Sequence, residues 1–309
     1  MYSKNIAVMF PKSQFSEYQI QRLEGLGKVS FIESKSFRCP KDTEVLVIDD
    51  SAKSKSRLLQ LLDSLPNVKY LVLGSSDCSF VDIDYCKRRG IIVSNVPFYD
   101  ADSKAEHIIA LLLGSIRRII VNDRQTYRRR YIPELGHNFK GSNFGVIGIN
   151  PVSERVVELA KGLGASVNIW AEGTLPVRIE GTKRHSQIDS LLVDSDIISI
   201  HLSNNEANKK VFDKERISKL KDKAIVVNLA DRSLVDEVQM CKALSSGQVS
   251  QYVFESESMG NTPLKNNENA LMFKPFSTST VETLEKNMEA MMRNIENIVR
   301  GIPFSKLDF

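Results

Sequence analysis

Short apolar runs alternate with amphipathic helical patterns along almost the whole chain, and this alternation limits the fold more than any other feature. Runs of four or so residues rich in Val, Ile and Leu are typical of strands buried on both faces of a parallel sheet. Such strands are joined by right-handed helical crossovers. The pattern predicts these strands: Ile6–Met9, Val45–Ile48, Tyr70–Leu73, Ile91–Ser94, Phe144–Ile147, Val167–Trp170, Ile197–Ile200, Ile225–Asn228 and Gln251–Phe254.

The predicted strands fall into two series, separated by a helical stretch from Asp102 to about Arg130. The first half of this stretch is apolar on nearly all sides, which indicates burial, and its second half is basic. A final amphipathic helix is predicted from about Thr280 to Arg300. With 309 residues the chain is long enough for two cores. We therefore predict an α/β protein with two doubly wound parallel sheets.

Composition excludes several classes of protein. Hydrophobic content of 42% and charged content of 26% are ordinary for a soluble globular protein. The apolar stretches fall far short of the roughly 20 residues that a membrane span needs, and the N-terminus does not resemble a signal peptide. The four cysteines form no C-x-x-C pair and have no metal-like spacing with histidine, so we expect reduced thiols, a cytoplasmic location and no metal.

A dinucleotide-type loop follows the first strand of the second series, but it is altered. Of its three expected glycines, Gly148 remains and the other two are Asn150 and Ser153. Asn150 is a favourable N-cap, whose side chain competes with a phosphate for the free N–H groups. Pro151 suits the first helical position and removes a further donor. The sequence favours a Rossmann-type core with a blocked phosphate site over ordinary NAD binding.

An acidic residue is expected about twenty positions further on, to bind the ribose hydroxyls. Glu172 fits this role if the loop is displaced by one residue. NAD or NADP therefore stays possible as a cofactor, with weak or absent binding expected, and the sequence does not decide between the two.

Several local motifs occur in order and at spacings similar to those of one family. They are Asn95-Val96-Pro97 before Ala105-Glu106-His107, Phe139-Lys140-Gly141 before Gly145 and Gly148, Asp196–His201, Val227–Ala230 with Leu234–Glu237, Val253–Glu257, and Arg300-Gly301-Ile302-Pro303. On these motifs the chain resembles the D-isomer-specific 2-hydroxyacid dehydrogenases over essentially its whole length.

The resemblance implies a Rossmann-type nucleotide domain, residues 102–282, inserted into a flavodoxin-like substrate domain, residues 1–101 and 283–309. It also implies an interdomain cleft that takes a small molecule, and a dimer built around the linking helix. In such enzymes an arginine binds the substrate, and a histidine paired with a glutamate moves the proton during hydride transfer.

Carried over by position, the arginine falls on Asp231, the glutamate on Glu257 and the histidine on Phe276. A carboxylate near an anionic substrate repels it by a few kcal/mol at about 4 Å, and Phe276 has no proton to give. The family's glycine-rich substrate loop reads Ser75-Ser76-Asp77, which adds another negative charge.

We therefore expect a catalytically impaired member of this family, acting as a binding or structural subunit or a sensor. It would pair as a homodimer, or as a heterodimer with a related active subunit. The alternative is an active NAD(P)-dependent oxidoreductase on a small 2-oxo or 2-hydroxy acid or a related substrate. It would use Arg232 and Lys274, relocated into the cleft, together with Glu257.

Other residues are weaker candidates. His107 on the apolar helix and His201 at a strand end are both interpreted as structural. The basic stretch Arg117–Arg130 has no interleaved aromatic residues, so a solvated or intersubunit face is favoured over a nucleic-acid site. A nucleic-acid-associated regulator would bind polyanions through Arg128, Arg129 and Arg130 in a salt-sensitive manner.

Overall fold

The computed structural model describes residues 3–32, 38–48, 54–172, 179–205, 207–258, 260–302 and 304–307. The chain divides into two compact units. Unit 1 comprises the described parts of Met1–Tyr99 and Thr280–Phe309, and unit 2 comprises those of Asp100–Ser279. Each unit contains one parallel sheet with helices, which confirms the predicted α/β class. Within the described ranges, no helix combines the length and apolar character needed to cross a bilayer.

Unit 1 is built on a five-stranded sheet in the order β2-β1-β3-β4-β5, in which every pairing is parallel. This is the flavodoxin-like order. Its strands are β1 Lys4–Met9, β2 Gly27–Phe31, β3 Val45–Ile48, β4 Tyr70–Leu73 and β5 Ile92–Ser94. Its helices are α1 Glu17–Glu24, α2 Lys55–Ser64, α3 Ile83–Arg89 and the last helix of the chain, α10 Val281–Arg300.

Unit 2 is built on a seven-stranded parallel sheet in the order β12-β11-β10-β9-β6-β7-β8. Its strands are β6 Asn143–Ile147, β7 Ser166–Trp170, β8 Thr182–Arg184, β9 Ile197–Ile200, β10 Ala224–Asn228, β11 Val249–Glu255 and β12 Ala270–Phe273. Its helices are α4 Ala101–Ile116, α5 Ile119–Tyr127, α6 Pro151–Gly162, α7 Ile188–Asp194, α8 Lys214–Ser218 and α9 Glu237–Ser246. The chain order reverses between β6 and β9, where Rossmann-type folds bind ligands beyond the carboxyl ends of the strands.

The pattern of apolar runs does not predict three of the strands, β2, β8 and β12. All three are edge strands. An edge strand has one neighbour and keeps part of its surface in water, so its sequence need not be a continuous apolar run. In β8, Thr182–Arg184, no residue is buried.

The linking helix predicted from Asp102 to about Arg130 is wrong as a single element. The helix ends at Ile116, and Arg118 adopts a left-handed conformation with φ 55° before α5 begins. The guanidinium of Arg118 is bound by Glu134 and lies 3.4 Å from the Asn269 side-chain oxygen. These contacts hold the turn, and no local sequence signal reveals them.

Candidate functional site

The candidate site lies in unit 2, at the loop between β6 and α6. Gly148 has φ 91°, and its N–H donates to the Trp170 carbonyl at 2.8 Å. A Cβ at Gly148 would lie 2.9 Å from the carbonyl carbon and oxygen of His201. Glycine is therefore required both by the backbone conformation and by the close approach of β9.

The first turn of α6 has no free backbone donor. The Asn150 Oδ1 accepts from Val152 N–H at 3.0 Å and from Ser153 N–H at 3.1 Å. The Asn150 backbone N–H donates to Ser153 Oγ at 2.8 Å, and the Asn150 side-chain amide donates to the His201 carbonyl at 3.0 Å. Pro151 has no N–H. The predicted N-cap and first-turn proline are confirmed, and the helix start satisfies its own donors.

Glu172, predicted for the ribose hydroxyls, is exposed two residues beyond the end of β7. The segment that follows it lies outside the described residues, so its role at a ribose stays a prediction.

Asp231, onto which the resemblance carries the substrate-binding arginine, follows β10. Its Oδ1 accepts from Ser233 N–H at 2.8 Å, and its Oδ2 accepts from the Asn204 side-chain amide at 2.9 Å. Partial burial raises the pKa of Asp231, but the hydrogen bonds from Ser233 and Asn204 outweigh burial and lower it below its ordinary value. Asp231 is therefore a carboxylate at neutral pH.

Arg232, the predicted substitute cation, is bound within unit 2. Its Nε and Nη2 donate to both carboxylate oxygens of Glu237, at 2.7 and 2.9 Å. Its Nη1 donates to Ser256 Oγ at 2.8 Å and to the Ser258 carbonyl at 3.2 Å. The guanidinium also lies 5.4 Å from the ring centroid of Phe254. These contacts tie the start of α9 to the end of β11 and occupy most of the guanidinium's donors.

The Arg232→Met substitution is expected to lower the free energy of unfolding by about 2 kcal/mol, because it leaves a largely buried Glu237 without its cation. Urea unfolding measures this loss. The matched control is Arg128→Met, since the Arg128–Glu268 pair is more than half exposed and its loss is expected to have no measurable effect. Equal, negligible effects in both variants would contradict a structural role for Arg232.

Glu257 and Lys274, the other two predicted catalytic residues, are both exposed. Glu257 lies just beyond β11, and Lys274 directly follows β12. Their catalytic roles stay predictions.

Phe276 belongs to a cluster that sequence reasoning missed. Its ring packs edge-on against the His107 imidazole, with 4.4 Å between centroids. His107 Nε2 lies 3.0 Å from Glu255 Oε1, and the backbone N–H of Phe276 donates to the same oxygen at 3.3 Å. The pair is nearly buried, with side-chain exposures of 11% for His107 and 8% for Glu255. Glu255 and His107 therefore fix the backbone and ring at position 276.

Lys104 is a second feature that sequence reasoning missed. It lies on α4 and lines a cavity of about 180 Å³ at the carboxyl ends of β6 and β9, together with Asn150, His201, Ala230 and Ser277. Its ammonium contacts Asp100 Oδ2 at 2.6 Å, and the Asp100 side chain is 3% exposed. A signal was available, because Asp100 and Lys104 are spaced i, i+4 at the start of an apolar helix.

His201 is buried at the end of β9, and its Nε2 lies 2.8 Å from Ser199 Oγ. Burial lowers the pKa of His201 to about 4. Because its ordinary value is near 6.5, the imidazole is neutral at physiological pH. The arrangement supports the structural interpretation of this residue.

The lowered pKa of His201 predicts a loss of stability in mild acid. The unfolded chain binds a proton near pH 6.5 and the folded chain only near pH 4, so stability is complete above pH 6.5 and falls as the pH drops through this window. We expect roughly 2 kcal/mol less unfolding free energy at pH 4.5 than at pH 7 from this residue. Urea unfolding of His201→Gln should show a correspondingly shallower pH dependence. The exposed His137, changed to Gln, should leave the wild-type slope unchanged, and equal slopes in all three proteins would contradict the assignment.

The predicted substrate loop lies in unit 1 after β4. Ser75 is buried, Ser76 is half-buried and Asp77 is exposed. The Asp77 N–H donates to Ser75 Oγ at 3.1 Å, and Asp77 Oδ1 accepts from Ser79 N–H at 2.9 Å. The side chains of Ser75 and Asp77 therefore accept hydrogen bonds from backbone N–H groups of the loop itself. The role of the loop in ligand binding stays a prediction. Among the residues that the structure describes, no group of three His, Cys, Asp or Glu side chains is placed to hold a metal ion.

Comparisons with known proteins agree with this architecture. The family model for the D-isomer-specific 2-hydroxyacid dehydrogenase NAD-binding domain matches residues 109–276. Among curated proteins, 4-methyl-2-oxopentanoate reductase A of Aspergillus oryzae is 27% identical over 241 residues, which are 76% of this chain and 73% of that protein.

Two solved structures illustrate the likeness in fold. A glyoxylate reductase from Paecilomyes thermophila superposes with a TM-score of 0.84 at 22% identity, covering 99% of each chain. A D-lactate dehydrogenase from Aquifex aeolicus, solved with NAD and lactic acid, superposes with a TM-score of 0.79 at 22% identity, and the match covers 96% of each chain.

Proposed function

Because this chain belongs to the D-isomer-specific 2-hydroxyacid dehydrogenase family, we propose that it is a non-catalytic member, which serves as a ligand-binding or structural subunit or as a sensor. Its curated relatives include active reductases. The proposal therefore rests on what its own residues have lost, considered one requirement at a time.

The replacement of the expected cation at position 231 by a carboxylate is the observation that carries the proposal. A 2-oxo or 2-hydroxy acid needs a positive partner for its carboxylate, and position 231 offers a second carboxylate. The adjacent Arg232 does not replace it, because Glu237 and two serines take up its donors. Freeing Arg232 would leave Glu237 largely buried and unpaired, which costs about 2 kcal/mol or more.

The proton donor expected at position 276 is also missing. Phe276 carries no titratable group, and its ring packs edge-on against the His107 imidazole, whose Nε2 lies 3.0 Å from Glu255 Oε1. Lys274 is exposed rather than desolvated. These contacts weigh against the alternative, an oxidoreductase with relocated groups.

The residues at the start of α6 do not fit a dinucleotide. The pyrophosphate of NAD or NADP needs free N–H groups at this helix N-terminus. Those of Val152 and Ser153 are bound by Asn150, and Pro151 has none. We propose that NAD and NADP binding is weak or absent, with dissociation constants above about 100 μM, equivalent to less than about 5.5 kcal/mol of binding free energy.

The turnover assay is the direct test of this function. Purified protein is mixed with NADH or NADPH and with glyoxylate or 4-methyl-2-oxopentanoate, and absorbance at the nicotinamide band is followed. We expect no oxidation above the rate without protein. Turnover in the usual enzymatic range, at about one per second or faster, would contradict the proposal.

We also propose that the chain associates through the segment that follows α4, either with a second copy or with a related active subunit. Tyr127, Tyr131, Ile132 and Leu135 are each more than three-quarters exposed, which is unusual for apolar side chains so close in sequence. Sedimentation of Ile132→Asp should show a weaker complex than wild type, while Tyr18→Asp in α1 should not. A wild-type monomer at micromolar concentration would contradict self-association.

The four free cysteines support a cytoplasmic location.

A further inference from the structure

We infer that the cavity at the carboxyl ends of β6 and β9 binds a small monocarboxylate, with the Lys104 ammonium as its counter-ion. The inference rests on the proposed non-catalytic function, because a dinucleotide in this fold would need the same crevice at the strand-order switch point. It assigns a ligand class to a site that has lost its fit to the family's cofactor.

Charge selects the class of ligand. Among the described residues that line the cavity, Lys104 is the only one charged at neutral pH. Its ammonium has three hydrogens. One is directed to Asp100, whose nearly buried carboxylate fixes the position of the ammonium at 2.6 Å. The remaining hydrogens, on a side chain that is about one-third exposed, are available to an anion and would form charge-assisted bonds.

Size and lining restrict the ligand further. The cavity measures about 180 Å³, below the range of roughly 300–1,000 Å³ of pockets for drug-sized molecules. Much of its wall is apolar, formed by Ile108, Val152, Ile200, Leu202 and Leu229. A short branched alkyl chain with one carboxylate matches both this wall and the single cation.

The recognition needs no 2-oxo or 2-hydroxy group on the ligand. His201 is neutral at physiological pH, and Asn150 is held by Val152, Ser153 and the His201 carbonyl. Neither residue is therefore set up as a strong donor for a carbonyl or hydroxyl at carbon 2. A saturated acid should bind as well as its 2-oxo counterpart.

Calorimetric titration with isovalerate tests the inference. We expect saturable binding to the full-length protein, affinity for 2-oxoisovalerate within about threefold, and no binding of the neutral amide isovaleramide. Lys104→Met should weaken isovalerate binding about tenfold or more, because an alkyl chain of similar length lacks the charge. The matched control is Lys140→Met, since Lys140 is exposed and lies outside this cavity.

A second variant guards against misfolding. Lys104→Met leaves Asp100 buried without its partner, so Asp100→Asn with Lys104→Met removes both charges and should be folded yet equally deficient in binding. Absence of isovalerate binding to wild type, or undiminished binding to both Lys104 variants, would overturn the inference. Parallel titration with NADH separates the two proposals. Tight NADH binding with turnover would contradict both the proposed function and this inference. If neither NADH nor isovalerate binds, only this inference is contradicted.

Discussion

A chain carrying Asp231→Arg and Phe276→His, together with an opened helix start, is expected to reduce glyoxylate with NADH at least about 100-fold faster than wild type. The opened start consists of Asn150→Gly, Pro151→Ala and Ser153→Gly. Arginine supplies the cation for the substrate's carboxylate, and histidine supplies the proton. The site favours the second change, because Glu255 already accepts from the N–H of residue 276.

The controls for this gain are the partial variants. Groups that act together in catalysis are strongly non-additive, so Asp231→Arg alone and Phe276→His alone should stay near the wild-type rate. The rate is measured as kcat/KM from NADH consumption at several glyoxylate concentrations. If wild type and the combined variant both turn over well above the rate without protein, the chain already holds a working cation and proton donor, and if both stay at that background rate, the assigned roles of positions 231 and 276 are contradicted.

The opened helix start by itself is expected to strengthen NADH binding at least about tenfold, measured by calorimetry. Asn150→Gly frees the N–H groups of Val152 and Ser153, and Pro151→Ala adds one more. Replacing the N-cap side chain with glycine should lower the free energy of unfolding by only about 0.3 kcal/mol. Asp236→Gly is the matched control, because Asp236 caps α9 by accepting from two backbone N–H groups in the same way. An equal gain in NADH affinity in the Asp236 variant would show that the loss of a helix cap, and not a newly opened phosphate site, strengthens NADH binding.

The strands of the two sheets were predictable because their signal is local. The runs Val45–Ile48 and Ile197–Ile200 have the same bounds in sequence and structure, since strands covered on both faces must be apolar throughout. Edge strands such as Thr182–Arg184 carry no such signal. The N-cap at Asn150 and the proline after it were also predictable, because capping depends on a few neighbouring residues.

The contacts that matter most at the site were not predictable in this way. His107 meets Glu255 across 148 positions of sequence, and only the placement of α4 against β11 brings them together. The identity of Arg232 suits a relocated cation, but its partners Ser256 and Ser258 lie on another loop. The break at Arg118 likewise depends on Glu134 and Asn269. The sequence shows which residue types are available for a role. Which groups they hydrogen-bond to, and whether they stay free for a ligand, depends on the tertiary fold.

The most direct test of a non-catalytic family member is a calorimetric titration of the wild-type protein with NADH and with NADPH, up to several hundred micromolar. The bound N–H groups at the start of α6 predict no saturable heat and no rise in melting temperature on adding either cofactor. Saturable binding at low micromolar concentration would contradict the account, because it would require the Asn150 cap to open or the pyrophosphate to be held elsewhere.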